Sequence, residues 1–162
     1  MEHSSSVQEM WRAYLHSIGE TPTTTDKTVA AWHFCDNEQD AKHLAALVKA
    51  GRKRATASAY WEYEDAQEPV PAVGDYSIII NWNGEAQCVI RTTSVEIVPF
   101  NEVSADFART EGEGDKSLGH WRRVHWECFT RDLQAIGKCP KEAMPVVCER
   151  FEVVYGAGAL TD

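Results

Sequence analysis

The chain has 162 residues, 43% of them hydrophobic and 25% charged, with six Trp, which is the make-up of one globular domain and excludes a disordered segment. Against 16 basic residues stand 25 acidic ones, and the formal net charge of -9 works against any broad positive field for duplex nucleic acid, so a phosphate contact must be local. The five widely spaced cysteines form no CxxC pair, which argues against a disulfide framework or a zinc site. With no export signal and no apolar run of about 20 residues, the expectation is a reduced, cytoplasmic protein with no membrane partner.

Val7, Met10, Trp11, Tyr14, Leu15 and Ile18 fall at helical spacing, which predicts an amphipathic helix over 7–18, capped by Ser6 with Glu9 and stopped by Gly19. ETPTTTDK (20–27) is a polar connector, so residues 1–26 read as a leading helix and linker and 27–162 as the main body. VAAWHF (29–34) reads as a short strand. Asp36 is the expected cap of a second helix, with Gln39 in the reciprocal position and Ala41, Leu44, Ala45 and Val48 on its buried face, up to Gly51. ATASAYWEYE (55–64) reads as a strand and EPVPAVGD (68–75) as a loop. YSIIINWNGEAQCVIRTTSVEIV (76–98) reads as two antiparallel strands around Asn83-Gly84, a turn suited to positive φ at both central residues. Asn101 is the expected cap of a short helix through Phe107 to Thr110, followed by the acidic loop EGEGDK (111–116). Ser117 opens a last helix in which Leu118, Trp121, His125, Cys128, Phe129 and Leu133 repeat at helical spacing up to Gly137, and PVVCERFEVVY (145–155) closes the sheet as a strand. The order α-β-α-β-β-β-α-α-β predicts an α+β fold around a mostly antiparallel, barrel-like sheet with flanking helices.

AGRKRATAS (50–58) sets Arg52, Lys53 and Arg54 side by side behind a helix-ending glycine. Lys53 precedes Thr56 by three residues at the entry to a strand, where an ammonium and a hydroxyl can converge on one side of a cleft. A threonine hydroxyl attacks only after a base removes its proton, and a lysine serves when burial or nearby cations lower its pKa, the direction in which Arg52 and Arg54 push. The same cations also complement the negative end of the preceding helix as a solvated run, and residue type leaves both readings open. In EGEGD, Glu111, Glu113 and Asp115 offer carboxylates for acid, base or acceptor work, or simply an acidic loop beside a helix N-terminus; the spacing lacks the calcium-loop pattern. His120, His125 and Cys128 do not converge on a ligand set, so core packing is the expected role of His125. Tyr60 and Trp61 are candidates to stack on a base, although in a strand one of the two faces the core.

AGRKRAT has the form G-x-K-x-x-T. Together with Gly74-Asp75 before a strand, the EGEGD loop and a helix opening SLGHWR, it resembles the signature of the ASCH domains (activating signal cointegrator homology), in particular the larger bacterial members, over roughly residues 27–155. The resemblance implies a PUA-like β-barrel with a cleft for a nucleobase, nucleoside or RNA segment. A short member is an amidohydrolase acting on N4-acetylcytidine. Carried over, its residues fall on Lys53 as base, Thr56 as nucleophile and Glu111 as the group that positions substrate or shuttles a proton. Arg52, Arg54, Ser58, Tyr60, Trp61 and Glu113 are then the expected substrate contacts, with Glu113 competing for the role of Glu111. This reading needs no cofactor. A longer member is a metal-stimulated ribonuclease, which implies a second reading with a divalent metal and with Lys53 stabilising phosphate charge. Non-catalytic RNA binding is the third. The acidic balance favours a small neutral nucleoside as partner over a long polyanion. The leading helix and the long last helix depart from the short members and reshape the pocket; a homodimer through the leading helix is left open.

Overall fold

The computed structural model describes residues 4–158, which divide into one unit of residues 4–52, 74–92 and 151–158 and a second of residues 53–73 and 93–150. Five strands form one sheet: β1 (Val29–Trp32), β2 (Ala55–Ala59), β3 (Tyr76–Ile80), β4 (Ala86–Pro99) and β5 (Pro145–Tyr155), in the order β1-β3-β4-β5-β2. β1 pairs with β3 in parallel, whereas β3 with β4 and β2 with β5 are antiparallel. The α+β class is as expected, but the sheet is open and the expected barrel is not closed. Its edges are the two short strands β1 and β2, which leave few unpaired backbone groups.

In the first unit, α1 (Ser5–Ser17) buries Val7, Tyr14 and Leu15 against Ile78 and Val89. A fully buried Leu such as Leu15 stabilises by about 1.5–3 kcal/mol. Ser4, not Ser6, caps this helix by accepting from the Val7 N–H, because the Ser6 hydroxyl is taken by the Ala86 N–H at 2.9 Å. α2 (Glu38–Lys49) starts one residue later than expected: Asn37 Oδ1 accepts from the Asp40 N–H at 2.9 Å, which leaves Asp36 outside the cap. Its apolar face, including Leu44, Leu47 and Val48, packs with Phe34, Ile79, Cys88, Ile90 and Phe151. β1 stops at Trp32, short of the expected span, and Phe34 turns into this cluster instead. At the hairpin only Gly84 has positive φ, and the register shifts between Ile79 and Ile80. Asn81 Oδ1 accepts from the N–H groups of both Asn83 and Glu85, so the turn is built around Asn81 rather than as a two-residue Asn-Gly turn.

In the second unit, strand pairing ends at Ala59, opposite Val146, and Tyr60–Ala66 form a helix, α3, where the sequence pattern suggested continued strand. The next residue on β5 is Pro145, which has no N–H to extend the ladder. Phe100–Glu102 make one 3₁₀ turn, and α4 (Ala105–Glu111) is capped by Ser104 rather than Asn101: its hydroxyl accepts from the Phe107 N–H at 3.0 Å. α5 (Leu118–Ala135) is capped by Ser117 as expected. Phe100, Phe107, Trp121, Phe129 and Leu133 pack with Ala55, Ala59 and Cys148 to form the core of this unit. Among the described residues, no helix is long and apolar enough to cross a membrane, and none of the five cysteines is joined in a disulfide.

Candidate functional site

Gly51, at φ +75, turns the chain out of α2, with the Arg52 N–H closing onto the Leu47 carbonyl at 3.0 Å. In the second unit, the Arg54 N–H donates to the Thr110 carbonyl at 2.9 Å, which ties the strand entry to the last turn of α4. Lys53 is thereby turned inward and is 1% exposed. Its Nζ lies 2.8 Å from Glu113 Oε1 and 3.5 Å from Glu111 Oε1.

Glu111 is the final helical residue of α4 and not part of the loop; Gly112 at φ +71 ends the helix behind it. The Glu111 side chain is sealed. Its Oε2 accepts from the Trp121 indole N–H and lies 3.0 Å from His125 Nε2. Trp121 and His125 are one turn apart on α5, with rings stacked at 4.3 Å and nearly parallel, and His125 Nδ1 is 2.9 Å from the Trp121 carbonyl. Both imidazole nitrogens therefore face oxygens that only accept, so both carry protons. The group comprises two cations, Lys53 and His125, and two carboxylates, Glu111 and Glu113.

The pKa directions agree with that balance. Burial pushes the Lys53 ammonium down, but attraction to Glu111 and Glu113 and hydrogen bonds to both outweigh it, so its pKa is raised. Burial pushes Glu111 up, yet Lys53 and His125 bring it down to about 2. For His125, burial is again the largest influence and lowers the pKa, while Glu111 raises it, with a net rise. The expected depression of Lys53 by Arg52 and Arg54 is thus corrected: both arginines are exposed, and the groups around the ammonium are carboxylates. Lys53 stands in the resting site as a held cation. Glu113 is the open member, its side chain 19% exposed against 1% for Glu111.

Thr56 is half-buried in β2, opposite Glu149 on β5. Strand alternation sets it on the same face as Ser58, with Ala55 and Ala59 on the core face. Ser58 bonds the Tyr63 hydroxyl at 2.9 Å and, with Glu62, Tyr63, Asp65 and Ile136, lines a cavity of about 400 Å³. The start of α3 carries Tyr60 and Trp61 in a helix and not along a strand, and neither lines that cavity. Trp61 packs on the core with the Lys138 ammonium 5.7 Å from its ring centre. Sequence reasoning missed His125, Trp121 and Tyr63. The first two carried a signal, the four-residue spacing that stacks side chains on one helix face.

The loop that presents Glu113 has little slack. Gly114 has φ +57, and a Cβ built there would lie 2.3 Å from the His120 ring. Gly114→Ala is expected to cost about 1–2 kcal/mol in a urea titration through left-handed strain and displacement of His120. The double variant with His120→Ala should recover part of that loss. An unchanged midpoint for the single variant would show that the loop is not so constrained.

Glu111, Glu113 and His125 offer ligand atoms all within 4.8 Å of one another. They do not fit a divalent ion as arranged. The Lys53 ammonium already lies against both carboxylates, and both nitrogens of His125 are committed as donors, so the donor set is that of an ammonium site.

The sequence profile of the ASCH domain matches residues 30–155. The chain is 36% identical to the ASCH domain from Lactobacillus crispatus JV V101, whose crystal structure superposes with a TM-score of 0.89 over 96% of this chain and 98% of that one. A crystal structure of a protein from Enterococcus faecalis V583 is 32% identical, with a TM-score of 0.82, 93% of this chain covered and 88% of that chain. No curated protein matches the chain significantly.

Proposed function

This chain belongs to the ASCH-domain family, which is PUA-like and associated with RNA binding, and from that premise we propose that it hydrolyses the amide of an N4-acylated cytidine-type nucleoside. The observation that carries the reading is the buried Lys53 ammonium held 2.8 Å from Glu113, the one partly exposed carboxylate of the group. A charge kept out of water at a fixed point is arranged to stabilise negative charge that develops on a carbonyl oxygen.

In this scheme Glu113 takes the proton of the Thr56 hydroxyl as its oxygen attacks the acyl carbon, and the Lys53 ammonium faces the resulting oxyanion. The carbon–nitrogen bond then breaks, and Glu113 gives its proton to the departing exocyclic amine. Water attacks the Thr56 ester, the carboxylic acid leaves, and the threonine hydroxyl is restored. Glu111, sealed under Trp121 and His125, positions Lys53 and keeps it charged. Lys53 therefore acts as an electrostatic group and not as the base that the resemblance implied, because its pKa is raised. The net charge of -9 favours a neutral nucleoside over a polyanion.

Acetate release from N4-acetylcytidine tests the scheme. Turnover is expected with the intact protein, absent in Lys53→Ala and Thr56→Ala, and reduced about 10²- to 10⁴-fold in Glu113→Gln. No acetate release, with RNA instead cleaved on addition of manganese, would replace the reading with the ribonuclease; RNA bound without turnover would replace it with a binding module.

A further inference from the structure

The hairpin between β3 and β4, in the first unit, holds a group of side chains that the catalytic scheme does not use. Trp82 at its tip is 43% exposed, whereas the other five tryptophans are buried or half-buried. A cavity of about 240 Å³ adjoins it, lined also by Glu38 and Lys42 from α2 and by Asn81, Asn83 and Gln87 from the hairpin. An exposed indole on a floppy loop would signify little. This one is held firmly. The His33 ring leans against it, centres 5.1 Å apart. The preceding Asn81 is committed on both sides of its amide: Oδ1 accepts from two backbone N–H groups, and Nδ2 donates to Glu85 at 2.8 Å. Gln87 is steadied through its Nε2, which donates to the Glu85 carbonyl at 3.0 Å.

The lining chemistry narrows the occupant. One flat apolar face suits a planar ring. The amides of Asn83 and Gln87 present both donors and acceptors, and Glu38 accepts only, as when a carboxylate takes the amino proton of a base. Lys42 supplies a single positive charge, enough for one phosphate and too little for a duplex surface on a chain of net charge -9. Aliphatic or bulky ligands would leave these polar groups unpaired at the edge. Unpaired bases are read in this manner, by stacking on an aromatic face with hydrogen bonds to the base edge.

We propose that the β3–β4 hairpin tip binds an unpaired nucleobase of single-stranded RNA, with the base stacked on Trp82, its edge on Asn83, Gln87 and Glu38, and a flanking phosphate on Lys42. The site lies in a different unit from Lys53, and it stands whether or not the second unit hydrolyses a nucleoside.

Fluorescence anisotropy of a labelled short single-stranded RNA of mixed sequence, titrated at low salt, tests this directly, with the matching duplex as comparison. Trp82→Ala is expected to weaken binding about tenfold or more, and Trp82→Phe to retain most of it, since any flat ring stacks. Lys42→Ala should weaken binding less and flatten the dependence of log K on log salt by about 0.7, the share of one phosphate on a single strand. Circular dichroism of each variant checks folding; the exposed position of Trp82 predicts an unchanged spectrum. The proposal is overturned if the intact protein fails to bind the strand, if folded Trp82→Ala binds it as tightly as the intact protein, or if the duplex binds equally well.

Discussion

Lys53→Met is expected to lower the free energy of unfolding by about 3–5 kcal/mol, because it removes the ammonium that faces two carboxylates, one of them sealed in the core. Methionine matches the lysine stem closely in length, so the lost packing is small and the cost arises from the charges left behind. Glu111 would then rest on His125 and Trp121 alone, with Glu113 repelling it from the loop. Domains of this size are stable by only about 5–15 kcal/mol, so the loss is a large share of the total. Urea denaturation of intact and variant protein measures it. The double variant Lys53→Met, Glu111→Gln should lose less than the two single losses added together, because the second change removes the charge that the first exposed. Strict additivity would mean that the two groups are not coupled, and a Lys53→Met protein as stable as the parent would remove the basis of the site as described.

Glu111→Gln is expected to cost on the order of 3 kcal/mol near neutral pH and to alter the pH dependence of stability as well. The intact protein should be most stable between about pH 4.5 and 6.5, as far as this cluster is concerned. Glu111 is held down at about 2 against an ordinary 4.5, so the stability it contributes is complete above about pH 4.5 and is lost as pH falls toward 2. His125 is raised above 6.5, so its contribution is complete below about pH 6.5 and is lost as pH rises through its folded value. Lys53, raised above 10.5, loses its contribution only in strong alkali. An amide at position 111 cannot titrate. The variant should therefore lack most of the acid limb, and its upper limb should move to lower pH because His125 has lost its main partner. Denaturation midpoints across the pH range test this, and a variant profile parallel to that of the intact protein would show that Glu111 does not govern the cluster.

The helices show where local pattern suffices. The apolar spacing of Leu118, Trp121, His125, Phe129 and Leu133, opened by Ser117, marked α5 and its inward face, and Leu44 and Val48 up to Gly51 did the same for α2. These elements are bonded within themselves, and their stops are set by nearby glycines and caps. The aromatic run after Ala59 shows where such pattern fails. Its residues suit a strand, but a strand continues only while its partner does, and the partner reaches Pro145 at that point. The expected barrel failed for the same kind of reason: closure requires the edge strands β1 and β2 to pair, but β2, the next strand after β1 in the sequence, pairs with the distant β5, and no local pattern marks that choice.

The charged site divides along similar lines. The run around Lys53 and the EGEGD loop stood out as unusual in the chain, and they do meet: Lys53 lies against both Glu111 and Glu113. Neighbours in sequence, Arg52 and Arg54, implied a lysine stripped of its proton; neighbours in space, contributed by α4 and the loop after it, hold the proton on. The difference in exposure between the two glutamates also rested on distant residues, because Trp121 and His125 seal the first and leave the second open. Helical periodicity and caps are short-range properties of the backbone, carried by residues a turn apart and therefore written in order along the chain. Strand partners, burial and the charge on an amine depend on groups that only folding brings within a few ångströms, where water no longer screens them.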